Sequence, residues 1–231
     1  MQSIEKLLRF IISKICITFF PSFWKKYNEL KYWKKVKNET PVLSNDYYQQ
    51  YYTDYFGLDG SFYKHKNILD IGCGPRGSLE WANMANKRVG IDPLADEYKK
   101  LGADKHQMEY VASPSEKIPF ENDFFDVVCS FNSLDHVDNV EVTVKEITRV
   151  LCKQGIFLLM VEVNHAPNPC EPHMLSPEGI LKMIEPDYKC LFMESYVPVK
   201  AGLYQSIENG EKFANTLTTE EGWFCAKFEK K

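Results

Sequence analysis

The stretch NILDIGCGPRGSLEW, residues 67–81, places an apolar run directly before three glycines spaced as Gly72-x-Gly74-x-x-Gly77. An apolar strand that enters such a loop is typical of nucleotide-binding α/β proteins, in which the backbone must approach the ligand closely. Asp92 lies about 20 residues beyond Gly72, where that pattern has an acid for ribose hydroxyls. Spacing alone therefore indicates a dinucleotide such as NAD.

A second acid argues against a dinucleotide. Asp70 precedes Gly72 at the mouth of the loop, where its carboxylate would face the negative charges of a pyrophosphate. A ligand with a cationic centre suits this position better. S-adenosylmethionine carries an ammonium and a sulfonium, has no phosphate, and still needs glycines beside its methionine part. The residues therefore favour S-adenosylmethionine over NAD(P), with Asp92 on its ribose.

From residue 66 onward, short apolar runs alternate with helical patterns. The pattern predicts strands at 67–72, 88–92, 108–113, 125–131 and 155–163, and helices at 77–86, 94–101 and 139–152. A helix near 176–185, an irregular strand near 189–199 and a strand at 222–230 follow. This order predicts an α/β fold with one doubly wound, mostly parallel sheet. Its ligands would bind at the carboxyl ends of the strands, beside the loop at 164–175.

Four stretches resemble, in order, the motifs of class I S-adenosylmethionine-dependent methyltransferases of the small-molecule type, with a type 11-like domain. They are ILDIGCGPRG, VGIDPLADEY, SEKIPFENDFFDVVCSFNSLDHVDN and EITRVLCKQGIFLL, and they cover about residues 65–165. The resemblance implies a Rossmann-like fold with a seven-stranded sheet whose last strand, near 222–230, is antiparallel. It also implies S-adenosylmethionine as the cofactor.

The resemblance and the residues together predict a set of cofactor-binding positions. These are Asp70, Gly72, Cys73, Gly74, Asp92, Pro93, Ser115, Glu116 and Asn132. Asp70 and the glycines would flank the methionine part, and Pro93 would lie against the adenine. The sequence departs from the family at Pro114, where an acid commonly accepts the adenine amino hydrogen. Ser113, Ser115 or Glu116 must supply that contact, or it is lost.

Methyl transfer is an in-line displacement at the sulfonium, so catalysis is mainly positioning and, for an oxygen acceptor, removal of its proton. His136 follows the fourth strand and is the leading candidate for the base, with Asp135 as its partner. A capping or packing histidine is the alternative, in which case the base would be His165 or His173.

A proline-rich loop after the fifth strand groups chemically active side chains. They are Glu162, His165, Cys170, Glu171 and His173. No spacing among them matches a metal motif, so we predict substrate contact or a hydrogen-bonded scaffold there, and no metal.

The predicted function is methyl transfer to a small molecule, with oxygen as the acceptor atom, in a glycan or secondary-metabolite pathway. The fourth strand ends in SFNSL and not in an Asn-Pro-Pro-aromatic motif, which argues against methylation of amino groups on nucleic-acid bases. Two alternatives stay open. One is an NAD(P)-dependent oxidoreductase, which Asp70 opposes, and the other is a non-catalytic cofactor-binding protein tethered by its N-terminus.

Residues 1–60 are predicted to form a helical extension to a methyltransferase domain at 61–231. Residues 4–20 place apolar side chains on one helical face, and lysines follow up to Lys37. This segment is too short and too charged to span a bilayer. It either attaches to an anionic membrane surface through residues 4–37 or packs on the protein itself or on a second copy in a homodimer. A tyrosine-rich helix from Asp46 to Gly57 or Gly60 is either a lid or core.

Charge and cysteine content limit the partners and the compartment. The net charge is −4, but the basic residues are concentrated near the N-terminus and the remainder is acidic. An acidic body disfavours a nucleic-acid groove and favours a small-molecule acceptor. The seven cysteines include no C-x-x-C pair, which fits a reduced cytoplasmic protein without a disulfide framework.

Overall fold

A single sheet of seven strands lies at the centre of the computed structural model, which describes residues 21–231. The strands are β1 (Asn67–Ile71), β2 (Lys87–Asp92), β3 (Glu109–Ala112), β4 (Phe125–Phe131), β5 (Leu151–Val163), β6 (Tyr188–Tyr196) and β7 (Gly222–Lys230). Their order is β3-β2-β1-β4-β5-β7-β6. Strands β1 to β5 pair in parallel, and β7 is antiparallel to both β5 and β6. The predicted sheet, with its antiparallel last strand, is confirmed.

Helices cover both faces of this sheet. They are α1 (Pro21–Glu39), α2 (Gln49–Tyr52), α3 (Ala95–Lys100), α4 (Val140–Val150), α5 (Pro177–Ile184) and α6 (Leu203–Asn209). The side chain of Asn139 accepts the backbone N–H of Val142 and so begins α4. Buried apolar side chains of α4 and α5 then form one core with β4 and β5. The residues around α2, α3 and α6 form a second core on the opposite face.

The predicted helix at 77–86 is wrong. The segment is a succession of turns in which the N–H of Ala82 donates to the carbonyl of Leu79. Arg88 of β2 donates to the carbonyls of Leu79 and Glu80, at 3.4 and 3.0 Å, and so competes with helical bonding of these groups. Leu79 is fully buried in this turn. Tertiary contacts therefore replace the helix that the apolar spacing predicts.

The predicted helix from Asp46 is also interrupted. Residues Asp46–Tyr48 and Asp54–Phe56 form 3-10 turns on either side of the short α2. Helix α2 ends at Tyr52 because Thr53 leaves the helical conformation, at φ −115° and ψ −97°. Gly57 ends the segment at φ 65°, as predicted. Tyr51 and Tyr52 are buried, so this part of the tyrosine-rich segment is core.

Helix α1 begins the described part of the chain. It buries Val36 and leaves Phe23, Tyr27 and Tyr32 exposed. Among residues 21–231, no helix has the length and apolar character that a membrane span requires. The apolar helix predicted at 4–20 lies outside the described residues. Membrane contact through 4–37, the homodimer and a domain boundary after residue 60 therefore stay predictions.

Candidate active site

The loops that leave β1 and β4 are fastened to each other at the carboxyl edge of the sheet. Ser133 Oγ donates to the carbonyl of Ile71 at 2.8 Å. Gly72 has φ 68°, and a Cβ there would lie 2.4 Å from the Cβ of Ser133. Glycine is therefore required at this position for its backbone conformation and for the close approach of the β4 loop.

We expect Gly72→Ala to lower the free energy of unfolding by about 2–5 kcal/mol, since left-handed strain adds to overpacking. Gly57→Ala is the matched control, because its φ is 65° and no atom lies within 4 Å of the added Cβ. The control should lose only about 1–2 kcal/mol. Urea denaturation measures both. Equal losses would show that Ser133 moves away without cost.

Asp70 lies at the end of β1 and is only 2% exposed. Tyr52 donates its hydroxyl to Asp70 Oδ2 at 3.2 Å. Burial raises the pKa of Asp70 to about 7, and the hydrogen bond from Tyr52 opposes this shift. No basic side chain of the described part of the chain is among the groups that shift this pKa. A carboxylate in this position is therefore stabilised by a ligand that brings a positive charge.

Asp92 lies at the end of β2, next to the glycine loop. Its Oδ1 accepts the backbone N–H of Leu94 at 2.8 Å, which turns the chain into α3. Burial raises the pKa of Asp92 to about 7, the bond from Leu94 lowers it, and the charge of Glu29 raises it further. A hydrogen bond from the backbone of Gly74 also lowers this pKa, so Asp92 lies against the glycine loop, and it keeps partial contact with solvent.

Helix α1 lies across this edge of the sheet. A Cβ on Gly74 would be 3.3 Å from the Trp33 ring, and Trp33 Nε1 donates to Glu29 at 2.6 Å. Near the start of α1, Lys25 donates to the carbonyl of His136 and forms an ion pair of 2.9 Å with Asp138. The helix therefore spans from the β4 loop to the glycine loop. Helix α1 therefore lies over the edge that a lid would cover, whereas the lid alternative named the tyrosine-rich segment.

The residues predicted for the adenine are held by protein contacts. Ser113 Oγ donates to the carbonyl of Lys117 at 2.6 Å, and Ser115 Oγ lies 2.8 Å from Thr143 Oγ1. Glu116 Oε1 accepts the backbone N–H groups of Asp138 and Asn139 at 2.7 and 2.9 Å. Glu116 therefore anchors the segment that leads into α4, and an adenine contact from it stays a prediction.

Three other predicted cofactor residues occupy distinct places. The thiol of Cys73 is buried, and a Cβ on Gly90 would lie 2.5 Å from its Sγ, so this side chain packs against β2. Pro93 is exposed after β2. Asn132 adopts φ 52° and donates its N–H to the carbonyl of Met160 at 2.7 Å. A left-handed asparagine at a strand end is typical of ligand-binding loops.

The predicted pair of Asp135 and His136 forms a turn directly after β4. His136 Nε2 lies 3.8 Å from Asp135 Oδ2 and 3.6 Å from Glu171 Oε1. His165 Nε2 lies 3.9 Å from the same Asp135 oxygen. His173 is held by a 2.9 Å hydrogen bond from its Nε2 to the carbonyl of Val137. The structure thus joins the β4 turn to the loop after β5 and gives His173 a fixed role in that junction.

Sequence reasoning missed two contributors to this edge, Tyr52 and Trp33, and placed Glu171 in the loop after the fifth strand without its neighbour His136. Tyr52 reaches Asp70, Trp33 lies on Gly74, and Glu171 meets His136. The signal for Glu171 was present, because loops after adjacent parallel strands emerge at one edge. The contacts of Tyr52 and Trp33 depend on how irregular N-terminal segments fold back, which periodicity does not encode.

Comparison with known proteins supports this arrangement. Residues 69–159 match the family described as methyltransferase domain. This match contains the glycine loop, Asp92 and the β4 turn. Residues 69–159 of the chain form a methyltransferase domain. The cofactor of this family is S-adenosylmethionine.

Relatives of the methyltransferase domain share a part of their length with it. An uncharacterised protein of Methanocaldococcus jannaschii is 36% identical over 104 residues, or 45% of this chain and 38% of the relative. A sterol 4-C-methyltransferase of Caenorhabditis elegans is 34% identical over 101 residues, or 40% of this chain and 30% of the relative. The chain therefore spans well under half the length of these relatives.

Solved structures support the fold of the methyltransferase domain. An S-adenosylmethionine-dependent methyltransferase from Listeria monocytogenes, described as putative, has a TM-score of 0.58 at 15% identity and covers 80% of this chain and 97% of its own. A methyltransferase from Mesorhizobium loti has a TM-score of 0.57 at 17% identity, with coverage of 72% and 92%. At these identities the likeness concerns the fold alone.

Proposed function

We propose that this chain binds S-adenosylmethionine at the edge formed by Asp70, the glycine loop and Asp92, and transfers its methyl group to a small molecule. The observation that carries this proposal is the burial of Asp70 without a basic partner in residues 21–231. The cofactor's ammonium would complete this site, whereas the phosphates of NAD(P) would meet a repelling carboxylate. The oxidoreductase alternative is therefore disfavoured on charge.

Oxygen is the proposed acceptor atom. A hydroxyl must lose a proton when it is methylated, and His136 lies beside Asp135 and Glu171 after β4, ready to assist that loss. Imidazole and carboxylate groups at the mouth of the site also suit a polyhydroxylated acceptor, which supports a glycan or a secondary metabolite as the substrate class. The match covers well under half of each of the two relatives described above, so their acceptors are not transferred to this chain and the acceptor is argued from its own side chains.

Calorimetry tests the cofactor. S-adenosylmethionine and S-adenosylhomocysteine should bind, and NAD and NADP should give no heat. Asp92→Ala should weaken S-adenosylhomocysteine binding by about 1–3 kcal/mol, or roughly 5- to 150-fold, through loss of charge-assisted hydrogen bonds. Asp96→Ala is the matched control, because Asp96 is exposed on α3 and its ion pair within residues 21–231 is with Lys99 at 3.1 Å.

Two outcomes would contradict the proposal in different ways. Binding of NAD without binding of S-adenosylhomocysteine would support the oxidoreductase. Cofactor binding with no transfer of labelled methyl to any member of a panel of hydroxylated, amino and carbon acceptors would support the non-catalytic binding protein. A product whose labelled methyl group has the NMR chemical shift of a methoxy group would identify an ether and hence an oxygen acceptor.

A further inference from the structure

Four side chains converge where the β4 turn meets the loop after β5. We call them the Asp135 cluster: Asp135, His136, His165 and Glu171. The side chain of Asp135 is 0% exposed and that of His165 is 7% exposed, whereas His136 and Glu171 are 29% and 27% exposed. The cluster therefore has a buried floor and an open side formed by His136 and Glu171.

Several polar atoms of the Asp135 cluster are buried without a hydrogen-bond partner in residues 21–231. They are both carboxylate oxygens of Asp135, Nε2 of His136 and Nε2 of His165. Buried polar atoms are nearly always paired in native proteins, because an unpaired one costs the loss of its hydration. Four such atoms in one place indicate that the cluster receives a partner from outside residues 21–231.

The surrounding contacts leave lone pairs aimed into the cluster. His165 Nδ1 lies 3.1 Å from the carbonyl of Ala166 and must carry the proton there, so Nε2 of the neutral ring keeps its lone pair. The side-chain N–H of Asn168 donates to Glu171 Oε2. In return, the backbone N–H of Glu171 donates to Asn168 Oδ1 at 3.0 Å. Glu171 Oε1 is thereby left facing His136.

The spacing of these atoms excludes direct hydrogen bonds. The separations of 3.6, 3.8 and 3.9 Å are too long for N–H···O bonds. Ligands of one ion at about 2.1 Å in tetrahedral geometry are about 3.4 Å apart, so a small contraction of Asp135, His136 and Glu171 would supply three ligands of such a shell. The donor atoms of Asp135, His136 and Glu171 all lie within 4.8 Å of one another.

We propose that the Asp135 cluster binds one divalent cation of the first transition series, through Asp135 Oδ2, His136 Nε2 and Glu171 Oε1, with His165 beside Asp135. An imidazole ligand favours zinc, iron or manganese over magnesium and calcium, which prefer an all-oxygen shell. The sequence predicted no metal because the ligands come from two loops and follow no short spacing. The fold brings them together.

The role of the ion, though not its binding, rests on the proposed methyl transfer. A cation on the open side of the cluster would take an acceptor oxygen as a further ligand and lower the pKa of its hydroxyl. His136 would then assist as a ligand and not as a free base, because its Nε2 has a single lone pair. The acceptor class that follows is a small molecule with a hydroxyl, or with two neighbouring oxygens.

Calorimetric titration of the chelator-stripped full chain with Zn²⁺, repeated with Mn²⁺, tests the proposal. One ion per chain is expected, and Glu171→Gln and His136→Gln should each weaken binding by about 10-fold or more. Manganese is included because it has little affinity for the exposed thiol of Cys190. His65→Asn is the matched control, since His65 is exposed before β1 at the opposite edge of the sheet.

S-adenosylhomocysteine binding is measured on the same variants. Both variants should retain it, which shows that they are folded and separates the cation site from the cofactor site. Absence of saturable binding by either ion, or binding that Glu171→Gln and His136→Gln leave unchanged, would overturn the proposal. Failure of the proposed function would appear separately, as a stripped or loaded chain that binds no S-adenosylhomocysteine.

Discussion

His136→Ala is expected to lower methyl-transfer turnover by about 100-fold or more, while the Kd of S-adenosylhomocysteine stays unchanged. The side chain lies after β4, 3.8 Å from Asp135 and 3.6 Å from Glu171. Without this side chain, the acceptor hydroxyl loses its proton less readily. This holds whether the imidazole accepts the proton itself or binds a cation that lowers the pKa of the hydroxyl. Single-turnover assays with labelled cofactor measure the chemical step, and calorimetry measures the affinity.

The exposed His65 supplies the control for this substitution as well. His65→Asn should keep full turnover, since His65 precedes β1 and therefore lies at the edge of the sheet opposite the candidate active site. Asparagine also tolerates the φ of 62° at this position. Unchanged turnover in His136→Ala would make His136 a packing residue and move the assignment to His165 or His173. A fall in cofactor affinity equal to the fall in turnover would show that His136 acts on binding and not on chemistry.

The sheet and its ligand edge were predictable because both follow from local patterns. Apolar runs of strand length alternate with helical spacing, and the parallel order then forces the glycine loop and Asp92 to one edge. The acid at position 70 was equally informative, since its charge distinguishes a cationic ligand from a pyrophosphate. These features need only neighbours in sequence and the topology rules of α/β proteins.

Predictions failed where distant groups decide the local conformation. Residues 77–86 have helical spacing, yet Arg88 takes two of their carbonyls and Glu80 accepts the backbone N–H of Met108 at 2.7 Å. The tyrosine-rich segment likewise breaks at Thr53 so that Tyr51 and Tyr52 enter the core. In both cases burial and long-range hydrogen bonds outweigh helix propensity, which is worth less than 1 kcal/mol per residue.

The residues of the candidate catalytic site were predictable from the sequence, but the distances between them were not. His136 and Asp135 were expected as a pair, and the 164–175 loop was expected at the same edge. What the sequence lacks is the distance between them, and the structure places Glu171 3.6 Å and His165 3.9 Å from members of that pair. This convergence is the basis of the proposal that part of the loop binds a cation, where the sequence predicted substrate contact or a scaffold.

Cofactor affinity is expected to fall steeply as the pH decreases below about 7. In the unliganded chain, burial raises the pKa of Asp70 and of Asp92 to about 7. A ligand ammonium favours the ionised form of Asp70, and ribose hydroxyls donate to the ionised form of Asp92. Below this pH each protonated carboxyl must lose its proton on binding, so the Kd of S-adenosylhomocysteine should rise about 10-fold per unit for one group and up to about 100-fold for both.

The same shift gives the unliganded chain a pH-dependent stability of defined sign. The folded-state pKa of Asp70 exceeds its ordinary value of 3.8, so the stability that its proton contributes is fully present below that value and is lost as the pH rises through about 7. S-adenosylhomocysteine should therefore raise the melting temperature more at pH 8 than at pH 6. Asp70→Asn carries no titrating carboxyl, so it should bind more weakly at pH 8 and show a shallower pH dependence. An affinity that is flat between pH 6 and 8 in the wild-type chain would show that Asp70 and Asp92 are already ionised without the ligand, and that the buried carboxylate finds its positive partner within the protein.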